Sequence, residues 1–333
     1  MVLVGGVTRL TGSGLSITEW NVLMGAVPPL NEHEWQITFA MYQQTPQYLK
    51  ENYHFTLAEF KSIFWWEYIH RLLGRIIGLV FLVPFLFFLF KKWLPKHLIP
   101  KLLLIFFLGG LQGFIGWYMV KSGLVDNPAV SHYRLALHLM TAFITFGFTL
   151  WVALDLVFHE RRIYSKALIF PPMLTGLVLL QIVYGAFVAG LKAGLIYNTF
   201  PLMDGYLLPP GLTALPSFFQ NITENLTTVQ FIHRALGWII FLGITGYWFR
   251  IRKFSVSEMN AIHFAFASVI LQFTLGILTI LNFYKEPIFW GVIHQSGALL
   301  LFTSMIFWWH RAGREKTIFK TSEIRKVEEK ITW

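Results

Sequence analysis

The stretch WWEYIHRLLGR at residues 65–75 places a carboxylate, an imidazole and two guanidinium groups at the start of an apolar segment that continues to Phe90. Ionisable side chains at the edge of a hydrocarbon layer are costly, and in membrane proteins they mark functional positions. A related stretch, QFIHRALG, recurs at residues 230–237. Two further histidines, His138 and His294, lie near the start of two other apolar segments. We therefore predict a membrane protein whose function depends on these four histidines.

The composition agrees with a membrane protein. Of the 333 residues, 55% are hydrophobic and only 13% are charged, which is unlike a soluble globular chain. Apolar runs long enough to cross a bilayer lie at residues 69–90, 101–120, 134–158, 167–190, 229–249, 259–281 and 288–309. We predict an all-α integral membrane protein, with a separate short amphipathic helix at 57–64 and kinks at Pro84 and at Pro171–Pro172.

The positive charges predict the orientation and exclude one class of partner. The net charge of +10 is spread over loops between apolar segments, so it indicates membrane topology and anionic lipid and not nucleic acid. The positive-inside bias places loops 91–101, 161–166 and 250–253 and the tail after His310 on the cytoplasmic side. Loops 11–66 and 191–228 then lie outside, and all four histidines fall near the outer side.

An internal duplication organises the chain. Residues 2–15 align without gaps with residues 182–195, IHRLLG (69–74) repeats as IHRALG (232–237), Gln112-x-x-x-Gly116 repeats as Gln272-x-x-x-Gly276, and His138 corresponds to His294. Matches in the same order predict two copies of one unit.

We therefore predict two tandem four-helix bundles: residues 1–165, residues 166–310, and then a basic cytoplasmic tail at 311–333. The helix that matches the start of the chain begins near Ala167, well before its aligned segment. We expect eight helices in the full protein, with the first truncated here because the chain either starts at an internal methionine of a longer reading frame or was shortened.

The chemistry available to the four histidines follows from what the chain contains and lacks. No cysteine is present, so disulfides, iron–sulfur clusters and thiolate ligation are excluded. Each histidine is followed one turn later, on the same helix face, by a small residue that leaves room for a flat macrocycle: Gly74, Ala142, Gly237 and Ala298. Paired imidazoles from different helices of a bundle predict bis-histidine haem ligation.

The surrounding charges distinguish the two halves. Arg71, Arg75 and Arg234 flank the histidines and would either pair with haem propionates or extend to the membrane interface. Glu67 precedes His70 by three residues, whereas Gln230 holds the matching position before His233. We infer that the first half does chemistry, with Glu67 binding a proton or water near the reacting group, and that the second half holds a permanent cofactor.

Three alternatives use the same residues differently. A dihaem b-type cytochrome that relays electrons to or from quinone would need the four histidines but not the difference between Glu67 and Gln230. A di-iron carboxylate bundle needs more carboxylates than these helices contain. A transporter would need polar breaks near the middle of the membrane, whereas the polar groups here lie toward one side.

Seven segments resemble the heme A synthase family, most closely its alphaproteobacterial and mitochondrial members. They are GGVTRLTGSGLSITEWN (5–21), WWEYIHRLLGR (65–75), GGLQGFIGWYMVKSGL (109–124), YRLALHL (133–139), YGAFVAGLKAGLIYNTFPLMDG (184–205), FIHRALGW (231–238) and IHQSGALL (293–300). The resemblance implies a membrane haem-dependent oxidoreductase that converts the C8 methyl of haem O to a formyl group by successive hydroxylations, which gives haem A for cytochrome oxidase.

The resemblance also implies roles for individual residues. His233 and His294 are expected to ligate a resident haem b, His70 and His138 to hold the substrate haem O, and Glu67 to be the carboxylate tied to catalysis. Expected partners are the lipid bilayer, a ferredoxin-type electron donor and a haem O synthase, in a bacterial inner membrane with the haem sites toward the periplasm. Some family members carry a cysteine pair in the first outer loop, which this chain lacks.

Overall fold

A computed structural model describes residues 1–18, 27–124, 128–158, 161–162, 169–252, 259–312 and 314–315. Glu19 and Trp20, the loop lysines Lys166 and Lys253, and most of the tail predicted at 311–333 lie outside these ranges. The described part of the chain is mainly helical, and its helices are α1 (Val2–Leu10), α2 (Glu32–Tyr42), α3 (Pro46–Lys50), α4 (Leu57–Phe90), α5 (Ile99–Lys121), α6 (His132–Val157), α7 (Phe170–Gly190), α8 (Phe218–Thr223), α9 (Leu226–Ile251), α10 (Met259–Asn282) and α11 (Pro287–Arg311). Two short strands, β1 (Arg161–Arg162) and β2 (Arg314–Glu315), pair antiparallel.

Seven of these helices, α4, α5, α6, α7, α9, α10 and α11, are long and apolar enough to cross a membrane. They correspond to the seven predicted runs and confirm the all-α membrane fold. The separate helix predicted at 57–64 is wrong, because these residues form the first turns of α4. Thr56 and Glu59 form a capping box at its start, which satisfies the first backbone N–H groups, and no proline or glycine interrupts the helix before His70. The kink predicted at Pro171–Pro172 is also wrong: both prolines lie in the first turn of α7, where their missing N–H groups have no helical partner to lose.

The helices pack in an order that repeats. In the first half α1 contacts α4, α4 contacts α5 and α5 contacts α6; in the second half α7 contacts α9, α9 contacts α10 and α10 contacts α11. The halves meet where α6 packs on α7, α1 packs on α11, and α6 packs on α11. The largest buried cluster lies at this junction and includes Phe143, Leu174, Phe302 and Trp308.

The backbone after α1 repeats the backbone after α7. Gly12 and Lys192 both adopt the left-handed conformation, with φ of 67° and 56°, and each precedes a single turn of 3₁₀ helix, Ser13–Leu15 and Ala193–Leu195. The two positions are matched by the alignment of residues 2–15 with 182–195. This shared conformation is unusual for a lysine and supports the duplication read from the sequence.

Helix α2 folds over the N-terminal end of α4. Trp35 and Tyr42 of α2 pack with Phe60, Phe64 and Tyr68 of α4 in a second buried cluster. Trp35 makes an edge contact with Phe64 at 4.9 Å between ring centroids. This aromatic cluster fixes the turn of α4 that precedes His70.

Candidate functional site: four histidines facing four glycines

Each of the four predicted histidines faces a glycine on a neighbouring helix. A Cβ built on Gly5 would lie 3.0 Å from Cε1 of His70, and one on Gly116 would lie 3.0 Å from Cε1 of His138. In the second half the corresponding distances are 3.3 Å from Gly185 to His233 and 3.2 Å from Gly276 to His294. These glycines are matched pairs in the duplication, so the same cradle occurs four times.

Each imidazole therefore packs against the bare backbone of a neighbouring helix. Of the small residues predicted on the same helices, Gly74 and Gly237 face other groups, and Ala142 and Ala298 stay predictions. The side-chain position of Gly74 faces Met1 at 3.5 Å, and that of Gly237 faces Gln181 at 3.6 Å. Spacing along one helix could not reveal which residue of the next helix faces the ring. The repeat Gln-x-x-x-Gly, at 112–116 and 272–276, was the available signal.

Glutamines hold three of the four histidines. Nε2 of Gln112 lies 3.1 Å from Nδ1 of His138 and donates to the His138 carbonyl at 3.0 Å. Gln181 donates to the His233 carbonyl at 2.9 Å, and Nε2 of Gln272 lies 3.3 Å from Nδ1 of His294. Met1 occupies the matching position next to His70, so this histidine has no glutamine neighbour of that kind.

The second-half histidines have the spacing of an axial ligand pair. The ring centroids of His233 and His294 are 6.4 Å apart, with 77° between the ring planes. Metal–imidazole bonds of about 2 Å on each side of one metal ion would place two centroids roughly 6 Å apart. Nδ1 of His233 is buried without a hydrogen-bond partner among the described residues. These two residues therefore fit a bis-histidine haem.

The first-half pair is assembled in the same way. His70 and His138 each lie against the glycine that corresponds to the one in the second half, and Nδ1 of His70 is likewise buried and unpartnered within the described ranges. Both side chains are partly buried. The described residues contain no group of three or more His, Cys, Asp or Glu that could hold a metal ion, so the donor set offers histidine pairs and does not support the di-iron alternative.

Glu67 is almost completely buried, at 3% exposure, and both of its carboxylate oxygens are engaged. Oε2 accepts hydrogen bonds from Oγ of Ser16 at 2.7 Å and from the backbone N–H of Ile17 at 2.8 Å. Oε1 accepts from the guanidinium of Arg71 at 2.7 Å, and Arg71 also donates to the Ile17 carbonyl at 3.1 Å. The pair ties the segment after α1 to α4, about one turn before His70.

The second half carries a version of this tie without a carboxylate. Nε2 of Gln230 donates to the Tyr197 carbonyl at 2.9 Å, and Arg234 donates to the same carbonyl at 2.9 Å and to the Thr199 carbonyl at 2.9 Å. Tyr197 corresponds to Ile17 in the duplication. Glu67 thus forms an ion pair with Arg71, whereas Gln230 and Arg234 at the equivalent places both donate to a backbone carbonyl.

The three arginines predicted to pair with haem propionates have different contacts. Arg71 and Arg234 donate to protein acceptors, and Arg75 lies one turn after Arg71 on α4, partly buried. Two other cations, Lys121 and Arg134, line a cavity between the ends of α5 and α6 and were missed. Arg134 precedes His138 by four residues in the segment YRLALHL, and this i, i+4 spacing was the signal available.

His310 also has a partner that was not predicted. It is fully buried at the other end of the molecule, with Nε2 3.2 Å from Oδ1 of Asp155, and Nζ of Lys101 lies 3.0 Å from Oδ2 of the same carboxylate. These contacts join α5, α6 and α11. Sequence reasoning assigned His310 no role, because its partner is 155 residues away along the chain.

Comparison with known proteins gives one consistent result. The family COX15-CtaA, described as cytochrome oxidase assembly protein, matches residues 1–306. A relative from Nitrosospira multiformis named heme A synthase is 49% identical, over 95% of this chain and 90% of its own length. Relatives with the same name from Nitrosomonas eutropha and Flavobacterium psychrophilum are 46% and 45% identical, over 92% and 94% of this chain and 88% and 94% of their own lengths. The chain therefore belongs to the COX15-CtaA family of cytochrome oxidase assembly proteins, together with these heme A synthases.

Proposed function

We propose that this multi-pass membrane protein is a heme A synthase that oxidises the C8 methyl of haem O to a formyl group. The observation that carries the proposal is the fourfold histidine–glycine cradle, arranged as one pair in each half. Family membership and relatives named heme A synthase support the same activity. A dihaem relay to quinone has no support from these relatives.

We assign a resident haem b to His233 and His294 and the substrate haem O to His70 and His138. The resident haem supplies one-electron transfer when bound. The residues of this chain bind and orient the two macrocycles: the glycines admit a flat ring beside each imidazole, and the glutamines fix the imidazole planes.

Glu67 remains the carboxylate that we tie to catalysis. Since its oxygens are bonded to Ser16, Ile17 and Arg71, we propose that it acts by holding the segment after α1 over the first-half site. Movement of that segment would free the carboxylate to hold a proton or water near the substrate. The tie at Gln230 contains no carboxylate that could be freed, which would suit a site whose haem is not exchanged.

The setting of the reaction is also part of the proposal. We place the protein in a bacterial inner membrane, with both sites toward the periplasm, on the basis of the positive charges in loops 91–101 and 250–253 and the positive-inside bias. A ferredoxin-type donor would supply electrons and a haem O synthase would supply the substrate.

Chromatography of the haems extracted from cells that make haem O tests the function. We expect haem A with the unaltered protein. His70→Ala and His138→Ala should abolish haem A while the purified protein keeps haem b, and His233→Ala and His294→Ala should lose haem b. Extraction of haem b alone from the unaltered protein would contradict the synthase proposal and favour an electron relay.

A further inference from the structure

A cavity of about 560 Å³ opens between the C-terminal end of α5 and the N-terminal end of α6. Its lining lies about one helical turn from the first-half site, because Arg134 precedes His138 by four residues and Trp117 follows Gly116, which faces the His138 ring. Its lining residues are Trp117, Tyr118, Lys121, Ser122 and Arg134.

The lining is cationic and held in place by aromatic rings. Arg134 donates to the Tyr118 carbonyl at 2.9 Å, and its guanidinium lies 3.9 Å from the centroid of the Tyr118 ring. Nζ of Lys121 lies 5.1 Å from the centroid of the Trp117 ring. Among the described residues neither cation forms an ion pair with a carboxylate. The described lining of the cavity therefore carries two positive charges.

The second half lacks these charges. The duplication places Ile277 and Leu278 at the positions of the two aromatic residues, Leu281 at the position of Lys121, and Trp290 at the position of Arg134. A cationic cavity next to only one of two equivalent histidine pairs indicates a difference in what the two sites bind, or in how often they exchange it.

We propose that Lys121 and Arg134 form a carboxylate-binding subsite that receives the propionates of haem O in the first half. The inference rests on the proposed function. A haem combines an apolar macrocycle with two carboxylates, and burying those carboxylates without cationic partners would be costly. A guanidinium and an ammonium at the outer rim offset that cost. Arg71 already donates to Glu67 and to the Ile17 carbonyl.

The same cations would also suit the phosphate of an anionic lipid headgroup. The test is therefore a spectral titration of the haem b-loaded protein in nanodiscs of neutral phosphatidylcholine, with haem O and with haem O dimethyl ester, which lacks the two charges. We expect the unaltered protein to bind the free acid at least about tenfold more tightly than the diester, the effect of one or more charge-assisted hydrogen bonds.

Two variants and one control locate the effect. Lys121→Gln combined with Arg134→Gln should bind acid and diester equally. Lys121→Gln alone should lose part of the preference. This single variant provides the test if the double variant loses the haem b spectrum, because among the described residues the Lys121 side chain contacts the Trp117 ring and forms no ion pair. Arg252→Gln is the matched control, because Arg252 also stacks on aromatic rings, those of Trp248 and Phe249, at the other end of α9; it should keep the full preference.

Equal binding of acid and diester by the unaltered protein would overturn the subsite, as would a preference that survives in both variants. If the unaltered protein shows no preference, and the variants instead retain less phosphatidylglycerol after purification from nanodiscs containing it, then the cavity binds lipid. Acid-selective binding without any haem A formation would leave the subsite standing and refute only the proposed function.

Discussion

The residue opposite each histidine has to be a glycine, because a single added Cβ would crowd the imidazole ring. A Cβ on Gly276 would lie 3.2 Å from the His294 ring, whereas one on Gly246 in the same half would meet nothing within 4 Å. We expect Gly276→Val to displace the imidazole and to strip haem b from the protein. Gly246→Val, which introduces the same branched side chain into a helix, should leave the haem in place. The haem content per protein and the reduced absorption spectrum measure the outcome, and full haem content in Gly276→Val would contradict it.

The glutamines give a second prediction for single residues. Oε1 of Gln272 is buried without a hydrogen-bond partner in the described part of the chain, and its amide lies against the His294 ring. The amide nitrogen that faces the ring is a donor, whereas the second nitrogen of a metal-bound neutral imidazole carries a proton and needs an acceptor. Turning the amide by 180° places Oε1 there, and an acceptor at that nitrogen makes the ligand more basic and favours ferric iron. We expect Gln272→Leu to raise the midpoint potential of the resident haem by up to about 60 mV, a tenfold change for a one-electron couple.

Potentiometric titration of the purified protein measures this shift. Gln112→Leu is the internal control, because Gln112 makes the same contact with His138 in the other half. It should leave the potential of the resident haem unchanged. Equal potentials in the unaltered protein and Gln272→Leu would show that the amide does not tune this ligand.

At the scale of elements, an ion pair ties α4 to the segment after α1. The matching tie in the second half, at Gln230, contains no carboxylate. Glu67→Ala would leave the buried guanidinium of Arg71 without its carboxylate and the N–H of Ile17 without its acceptor. Breaking a buried ion pair on one side typically costs about 3–5 kcal/mol. Gln230→Ala removes a neutral hydrogen bond, which contributes about 1 kcal/mol.

We therefore expect Glu67→Ala to lower the melting temperature in detergent much more than Gln230→Ala does. Glu67→Gln keeps the shape of the side chain and should retain haem b, while haem A formation falls. A melting temperature for Glu67→Ala equal to that for Gln230→Ala would refute the structural part of this interpretation.

At the scale of the whole molecule, the contact between His310 and Asp155 joins the halves at the end remote from the four histidines. Asp155→Asn removes the charge that also pairs with Lys101, and we expect it to destabilise the protein by about 1–3 kcal/mol with haem content unchanged. Glu32→Gln breaks the more exposed pair with Lys61 and should have little effect. Thermal unfolding of both variants measures the difference. Loss of haem b in Asp155→Asn would contradict the view that Asp155 only stabilises the fold.

The sequence predicted the spans and the four histidines because both signals are local. Apolar length identifies a membrane helix, and a polar residue is conspicuous within it. It failed where the deciding contact lies between helices. Gly5 of α1 faces His70 of α4, Arg71 of α4 donates to the Ile17 carbonyl in the segment after α1, and Arg134 of α6 meets the ring of Tyr118 of α5. None of these contacts produces a repeating pattern in the sequence of a single helix. The domain boundaries near 165 and 310 remain predictions.

The junction between the halves has the form of an isologous interface. In the duplication α1 corresponds to α7 and α6 to α11. The contact of α6 with α7 therefore corresponds to the contact of α11 with α1, and α6 also contacts its own counterpart, α11. At the same junction Arg9 donates to the carbonyl of Ala189, the residue that corresponds to it in the duplication. Such self-complementary surfaces are those by which two copies of one chain form a twofold homodimer. Covalent fusion of such a dimer would preserve every contact across the junction while releasing each copy to acquire mutations of its own.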